Sequence, residues 1–146
     1  MKKIIRLIIA LIGTSFLVGC ASNQQFVRFP DQSKVVEDPS KGRIYVMRPA
    51  SIGAAISMDV SDDGRTVGST GPSSYLCWER PPGNAVISAK SENTSAIGVD
   101  VEAGKVNYIF LHVRMGWIMA RNKLEVVSEE EGKKILKECD PPKLIQ

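Results

Sequence analysis

The side chains able to do covalent or ligand chemistry are few. The chain has a single histidine, His112, and three cysteines, so a Ser/His/Asp or Cys/His site would have to be built on His112. Strand parity puts His112 on one face with Tyr108, Phe110 and Arg114, opposite Ile109, Leu111 and Val113, which suits a packing or surface residue. No G-x-S-x-G or comparable nucleophile setting accompanies it. A metal site needs three or four ligands, and one His with scattered carboxylates and no C-x-x-C does not supply them. Ser61-Asp62-Asp63-Gly64 lacks the ligand spacing of a calcium loop and reads as a turn. Gly68-Ser69-Thr70-Gly71-Pro72 lacks the lysine of a phosphate loop, and the Asn93-Thr94-Ser95 glycosylation triplet carries little weight on its own. The expectation is a protein that is not an enzyme and holds no metal or resident cofactor. Chemistry then rests on sulfur: Cys20, Cys77 and Cys139.

Cys20 closes a segment with the order of an export signal: basic Lys2, Lys3 and Arg6, an apolar stretch over residues 7–18, then small residues. These twelve residues, interrupted by Gly13, Thr14 and Ser15, are too few for a bilayer, which takes about 20 predominantly apolar residues. The stretch ends Leu17-Val18-Gly19-Cys20, which resembles the bacterial lipobox, and that resemblance implies cleavage before Cys20 with covalent diacylglycerol and an acyl chain on its sulfur. Two or three chains hold a protein firmly at a membrane, because each buried methylene contributes about 0.8 kcal/mol. Ala21 stands where the Gram-negative sorting rule reads Asp as retention at the inner membrane, so the expected location is the outer membrane, facing the periplasm. The same leader explains the charge. Of 19 Lys and Arg, three lie in it, and the other 16 balance 16 Asp and Glu, so the formal +3 resides entirely in residues 1–19. A chain that is neutral beyond its leader offers no basic face for nucleic acid.

If Cys20 carries lipid, Cys77 and Cys139 remain as a pair in an oxidising compartment, and a bridge between them is expected. It would close a loop of about 62 residues and stabilise by about 4 kcal/mol on the chain-entropy picture.

The elements follow from periodicity. The 146 residues, 43% hydrophobic and 24% charged, suit one domain. Residues 20–41 are polar and rich in turn formers, and read as a flexible tether with a reach of about 25 Å; Phe26, Val27 and Phe29 leave open an early strand. From Gly42 to the end, β-type runs recur between turn signals, at 43–48, 55–60, 66–68, 75–79, 85–89, 97–101, 106–114 and 121–127. The run at 106–114 is the longest and reads as a central strand covered on both sides. Seven or eight short strands without helices between them predict an all-β, antiparallel β-sandwich. One helix is expected at the C-terminal end: Ser128 with Glu131 forms a capping box, Glu129 and Glu130 pair with Lys133 and Lys134, and Pro141 stops it. Its inward face would carry Gly132, Ile135, Leu136 and Cys139. Met115, Trp117, Ile118 and Met119 fall between two predicted strands; they either continue the strands into the core or form an adaptable contact surface for a partner or membrane.

Gly42-Arg43-Ile44-Tyr45-Val46-Met47-Arg48-Pro49, Asp63-Gly64, Val67-Gly68, Ser74-Tyr75, Pro82-Gly83, Ala103-Gly104-Lys105 with Tyr108, and Leu124 with Gly132 and Leu136 together resemble a family of short bacterial lipoproteins with a domain of unknown function. Such domains are similar to prealbumin-like sandwiches and PEGA modules, which implies a location and a shape but no established activity. The functional expectation is a membrane-anchored lipoprotein that displays a small sandwich for interaction or envelope structure. Two others stay open: a docking lipoprotein of a trans-envelope secretion complex, and a cell-wall glycan binder using Trp78 or Trp117.

Overall fold

A computed structural model describes residues 23–50, 56–118 and 120–145. The signal segment, Cys20, Ala21, Ala55 and Met119 lie outside them. Ten strands form two sheets. β1 (Gln24–Gln25), β3 (Met58–Asp62), β4 (Arg65–Thr70), β6 (Gly83–Lys90), β7 (Thr94–Val101) and β10 (Lys143–Leu144) make one, in the order β10-β1-β4-β3-β6-β7. β2 (Gly42–Arg48), β5 (Ser74–Arg80), β8 (Val106–Met115) and β9 (Ala120–Val127) make the other, in the order β5-β2-β8-β9. A helix, α1 (Glu129–Leu136), follows β9. The chain is an all-β sandwich with one C-terminal helix. The strands expected from alternation recur within a few residues of their predicted bounds; the two additional strands, β1 and β10, are two residues long, too short for any period to register.

The pairing is not wholly antiparallel. β2 and β8, the two inner strands of the smaller sheet, run parallel, with Tyr45 beside Tyr108 and Met47 beside Phe110, and β1 runs parallel to β10. Parallel neighbours need a long crossover, here the whole stretch from β3 to β7. Both inner strands are covered on two sides, which explains why all seven residues of β2 are buried. Its Ile44 and Val46 face the inter-sheet core with Met58, Val60, Leu76, Ile87, Ile109 and Leu111. Its Tyr45 and Met47 face a second apolar layer with Tyr75, Cys77, Tyr108 and Ile135.

That second layer needs a lid, and residues 23–41 supply half of it. Read from composition as a flexible tether, this segment is from Asn23 onward a strap packed on the smaller sheet. Gln25 is buried, and Phe29 packs on the second layer. The Gln25 side chain binds the backbone of Cys77 like one more strand, with Nε2 donating to the Cys77 carbonyl (2.7 Å) and Oε1 accepting from its amide (3.0 Å). It thereby satisfies the free edge of β5, which would otherwise be buried without partners. α1 supplies the other half. Glu131 N donates to Ser128 Oγ at 3.3 Å and Lys133 pairs with Glu129, as the capping box predicts. The helix ends at Leu136, before Pro141, and buries Gly132 and Ile135.

The β3–β4 hairpin turns on Asp63 and Gly64, both at positive φ (47° and 80°). These values suit a two-residue turn whose twist matches the strands.

Candidate functional site

Three places on the molecule are built in ways that packing alone does not require. The first is the β8–β9 connection. β8 continues five residues past Phe110, its partner for Met47 at the end of β2, so about 16 Å of strand projects beyond the pairing with β2. At the tip Met115 is 75% exposed, Trp117 96% and Ile118 91%. The choice left open by the sequence is settled for these three: they do not join the core. Behind them Arg114 and Arg121 stand directly opposite each other across the hairpin, both exposed, and among the described residues neither is in an ion pair. Like charges facing across strands destabilise a hairpin.

The base of this tip is held firmly. Asn122 is buried, and its Nδ2 donates to Ser91 Oγ (2.7 Å) and to the Asn93 carbonyl (3.1 Å), while Ser95 Oγ donates to its Oδ1. In return Asn93 Oδ1 accepts from the Asn122 amide (2.8 Å) and Asn93 Nδ2 donates to the Asn122 carbonyl (2.9 Å). The reciprocal amide pair pins the β6–β7 turn to β9. The triplet dismissed as a stray glycosylation signal is therefore part of a clamp, legible only once β7 and β9 are known to pack together. Glu92, on the same turn, accepts from the Ile118 amide at 3.4 Å.

The second place is a polar clasp under the strap. Arg43, 1% exposed, pairs with Glu79 at 2.8 Å and donates to the carbonyls of Asp31 (2.9 Å) and Lys34 (2.8 Å). Glu79 accepts the amides of Glu37 (2.6 Å) and Asp38 (3.0 Å), and Tyr45 donates to Gln32 Oε1 at 2.8 Å. Every charge is thus met by strap backbone, which is what a buried ion pair requires to break even. Gln32 Nε2 lies 3.6 Å from the Cys77 sulfur. Burial pushes the Cys77 thiol up to about 11 and raises the Tyr45 hydroxyl well above its ordinary value.

The expected Cys77–Cys139 bridge is not formed; both are free thiols. Asp140, next to Cys139, bridges Ser74, and the Arg48 amide lies against the Cys139 sulfur. Cys77 pairs with Tyr45, three residues away along β5 and β2, a step of about 10 Å, and disulfides need Cα atoms within about 7 Å. The two cysteines share an apolar layer but occupy different levels of it. Burial pushes Cys139 up to about 11 as well.

The third place is a pair of open clefts. One, of about 420 Å³, lies beside Phe26, Arg28, Arg65, Trp78 and Arg80. Trp78 is 4% exposed and its Nε1 donates to Asp62 at 2.8 Å, so its ring belongs to the core rather than to a sugar platform. The other, of about 380 Å³, lies between strap and α1, with Tyr45, Tyr108, Lys34, Lys105 and Lys133 on its walls. Tyr45 and Tyr108 stack there at 5.5 Å. His112 lies outside both, stacked on Phe110 at 3.8 Å with Nε2 3.0 Å from Glu125. Among the described residues no three His, Cys, Asp or Glu are grouped to hold a metal, and no helix is long and apolar enough to cross a membrane.

The tip and the start of the strap share one pole of the sandwich. β8 runs parallel to β2, whose last residue, Arg48, donates to the carbonyl of Thr70 at 2.8 Å. β1 runs antiparallel to β4 with Gln24 beside Ser69, so Asn23 faces that same pole.

Comparison with known proteins yields one family and a distant relative. The family described as "Protein of unknown function (DUF2846)" matches residues 38–123. A relative described as an uncharacterized protein of Haemophilus influenzae is 29% identical over 132 residues, covering 87% of this chain and 79% of the relative. No solved structure matches.

Proposed function

The chain belongs to the DUF2846 family of proteins of unknown function, and from that premise we propose that it is a non-enzymatic lipoprotein, anchored through lipid on Cys20, that presents its sandwich at a membrane surface for protein interaction or envelope structure. The observation that carries this reading is the Leu17-Val18-Gly19-Cys20 ending of the leader, and the pole geometry is compatible with it. Gln24 and Gln25 pair with β4 only four and five residues after Cys20 in the sequence. A lipid on Cys20 would hold the domain within about 10 Å of the headgroups, with the β8–β9 pole turned toward them. Ala21 points to the outer membrane. The leader's basic, apolar and small-residue order supports export, and the neutral remainder of the chain argues against nucleic acid as a partner.

The test is metabolic labelling with radioactive palmitate. Wild-type protein is expected to take the label, fractionate with outer membranes and show an intact mass starting at residue 20 with the diacylglyceryl and acyl increments. Cys20→Ala is expected to lose the label and the membrane location. Membrane retention of an unlabelled wild-type chain would refute the anchor.

A further inference from the structure

The anchor reading provides a bilayer and a pole that faces it, and the β8–β9 tip is built for that surface. We propose that the tip is a second, non-covalent membrane contact: Trp117 and Ile118 seat in the headgroup region of an anionic bilayer while Arg114 and Arg121 engage its phosphates. The proposal rests on the anchor reading for where the bilayer lies, and on independent observations for the contact itself.

The first is exposure. Trp117 and Ile118 are 96% and 91% exposed on a rigid base, where a hairpin connection is ordinarily polar. A Trp with an aliphatic neighbour is the pairing that belongs at a membrane interface, the indole N–H staying wet while the ring leaves water. The second is charge. Arg114 and Arg121 face each other directly below the apolar tip, and the repulsion this costs is relieved by an anion between them. Lipid phosphates at the depth where the strands emerge supply it, and cationic side chains flanking an inserted apolar tip are the arrangement by which peripheral proteins choose anionic lipid. Glu92 is an acidic group beside the tip, but its carboxylate is turned to the Ile118 amide; Lys123 and His112, two pairs further down the hairpin, share Glu125. The third is position. The same pole carries Asn23, so the chain that leads to Cys20 leaves the domain on the side from which the tip projects. The reciprocal Asn93–Asn122 pair fixes the hairpin's angle to the rest of the sandwich, so an inserted tip would orient the whole domain.

The test uses the mature protein as recovered from cells, placed in vesicles of phosphatidylethanolamine and phosphatidylglycerol whose acyl chains are brominated near the headgroup. Its two tryptophans, Trp78 and Trp117, report separately, because Trp78 is inside the fold. Emission of the wild type is expected to shift to the blue and be quenched, and W117F to show no lipid quenching. In a titration against phosphatidylglycerol content, R114S/R121S is expected to weaken docking about 30-fold at low salt, with the fold unchanged because both residues are exposed. Absence of bromolipid quenching in the wild type, or equal quenching in W117F, would overturn the proposal. So would a blue shift that bromine does not quench, since a second copy of the chain would then cover the tip. Intact mass of the same sample separates the two readings. A lipidated Cys20 without quenching sinks the tip and leaves the anchor, whereas an unmodified soluble chain that still docks through Trp117 sinks the anchor and leaves the tip.

Discussion

Cys77 is fully buried, its backbone bonded to the Gln25 side chain and its sulfur 3.6 Å from Gln32 Nε2, and burial strongly disfavours its charged form in the folded state. The consequence is a pH dependence with a definite sign. Its folded pKa of about 11 exceeds the ordinary 9.0, so the stabilisation is complete below pH about 9 and is lost as pH rises toward about 11, where the unfolded thiol ionises first. Urea unfolding midpoints are therefore expected to fall steeply across that window, and the fall to be shallower in Cys77→Ala. The same two thiols should resist alkylation in the native protein and add two adducts on denaturation without reductant; no adducts would mean a disulfide. At this scale the sequence is a poor guide. The cysteine pairing argument counts sulfurs and consults the compartment, but whether two cysteines meet depends on the level each occupies along β5. That level is set by contacts of Asp140 with Ser73, Ser74 and Tyr75 that no local pattern encodes.

Among the elements, α1 was the most legible, because a capping box, paired charges and an apolar face all reside within one short stretch. What the periodicity did not disclose is how closely the helix sits. A Cβ added at Gly132 would overlap the Tyr108 ring carbons, so here the smallest residue allows the helix to touch β8. Alanine in place of glycine would favour an isolated helix by about 1 kcal/mol, yet Gly132→Ala is expected to destabilise this protein, with the overlap costing about 1–3 kcal/mol. A urea midpoint that rises in the variant would show the helix to be loosely held. The strands were readable wherever one face is wet, as in β3 and β7, where buried and exposed residues alternate. They were readable as continuous apolar runs where both faces are covered, as in β2 and β8. The strap is not legible in the sequence because its hold on the sheet is polar: Gln25, Gln32 and the carbonyls of Asp31 and Lys34 have the character of loop residues, and only Arg43 and Glu79 beneath them give them a structural role. The tip was ambiguous for the opposite reason, since Trp and Ile satisfy a core and a contact surface equally well on composition.

For the whole molecule the strap changes where the folding unit begins. A chain cut at residue 42, where the β pattern starts, would leave Tyr45, Tyr75 and Cys77 without Phe29 and Gln25 above them and the Arg43–Glu79 pair without its backbone partners. Each strap hydrogen bond lost from these charged groups costs about 1.5–3 kcal/mol, and together they are a large share of the stability of a small domain. Such a fragment is expected to lose the near-ultraviolet circular dichroism of its packed tyrosines and to aggregate, whereas a chain starting at residue 21 should melt cooperatively. Equal melting of the two would reduce the strap to decoration. The parallel seam between β2 and β8 carries this further. Arg43 must wait for Val106 and Met47 for Phe110, so the middle of the smaller sheet cannot zip until about three-quarters of the 146 residues have left the ribosome. A polypeptide made N-terminus first is thereby kept open until late in its synthesis. Slow closure of this kind fits the proposed export, in which the chain would be threaded through a narrow translocation channel before it is allowed to become solid.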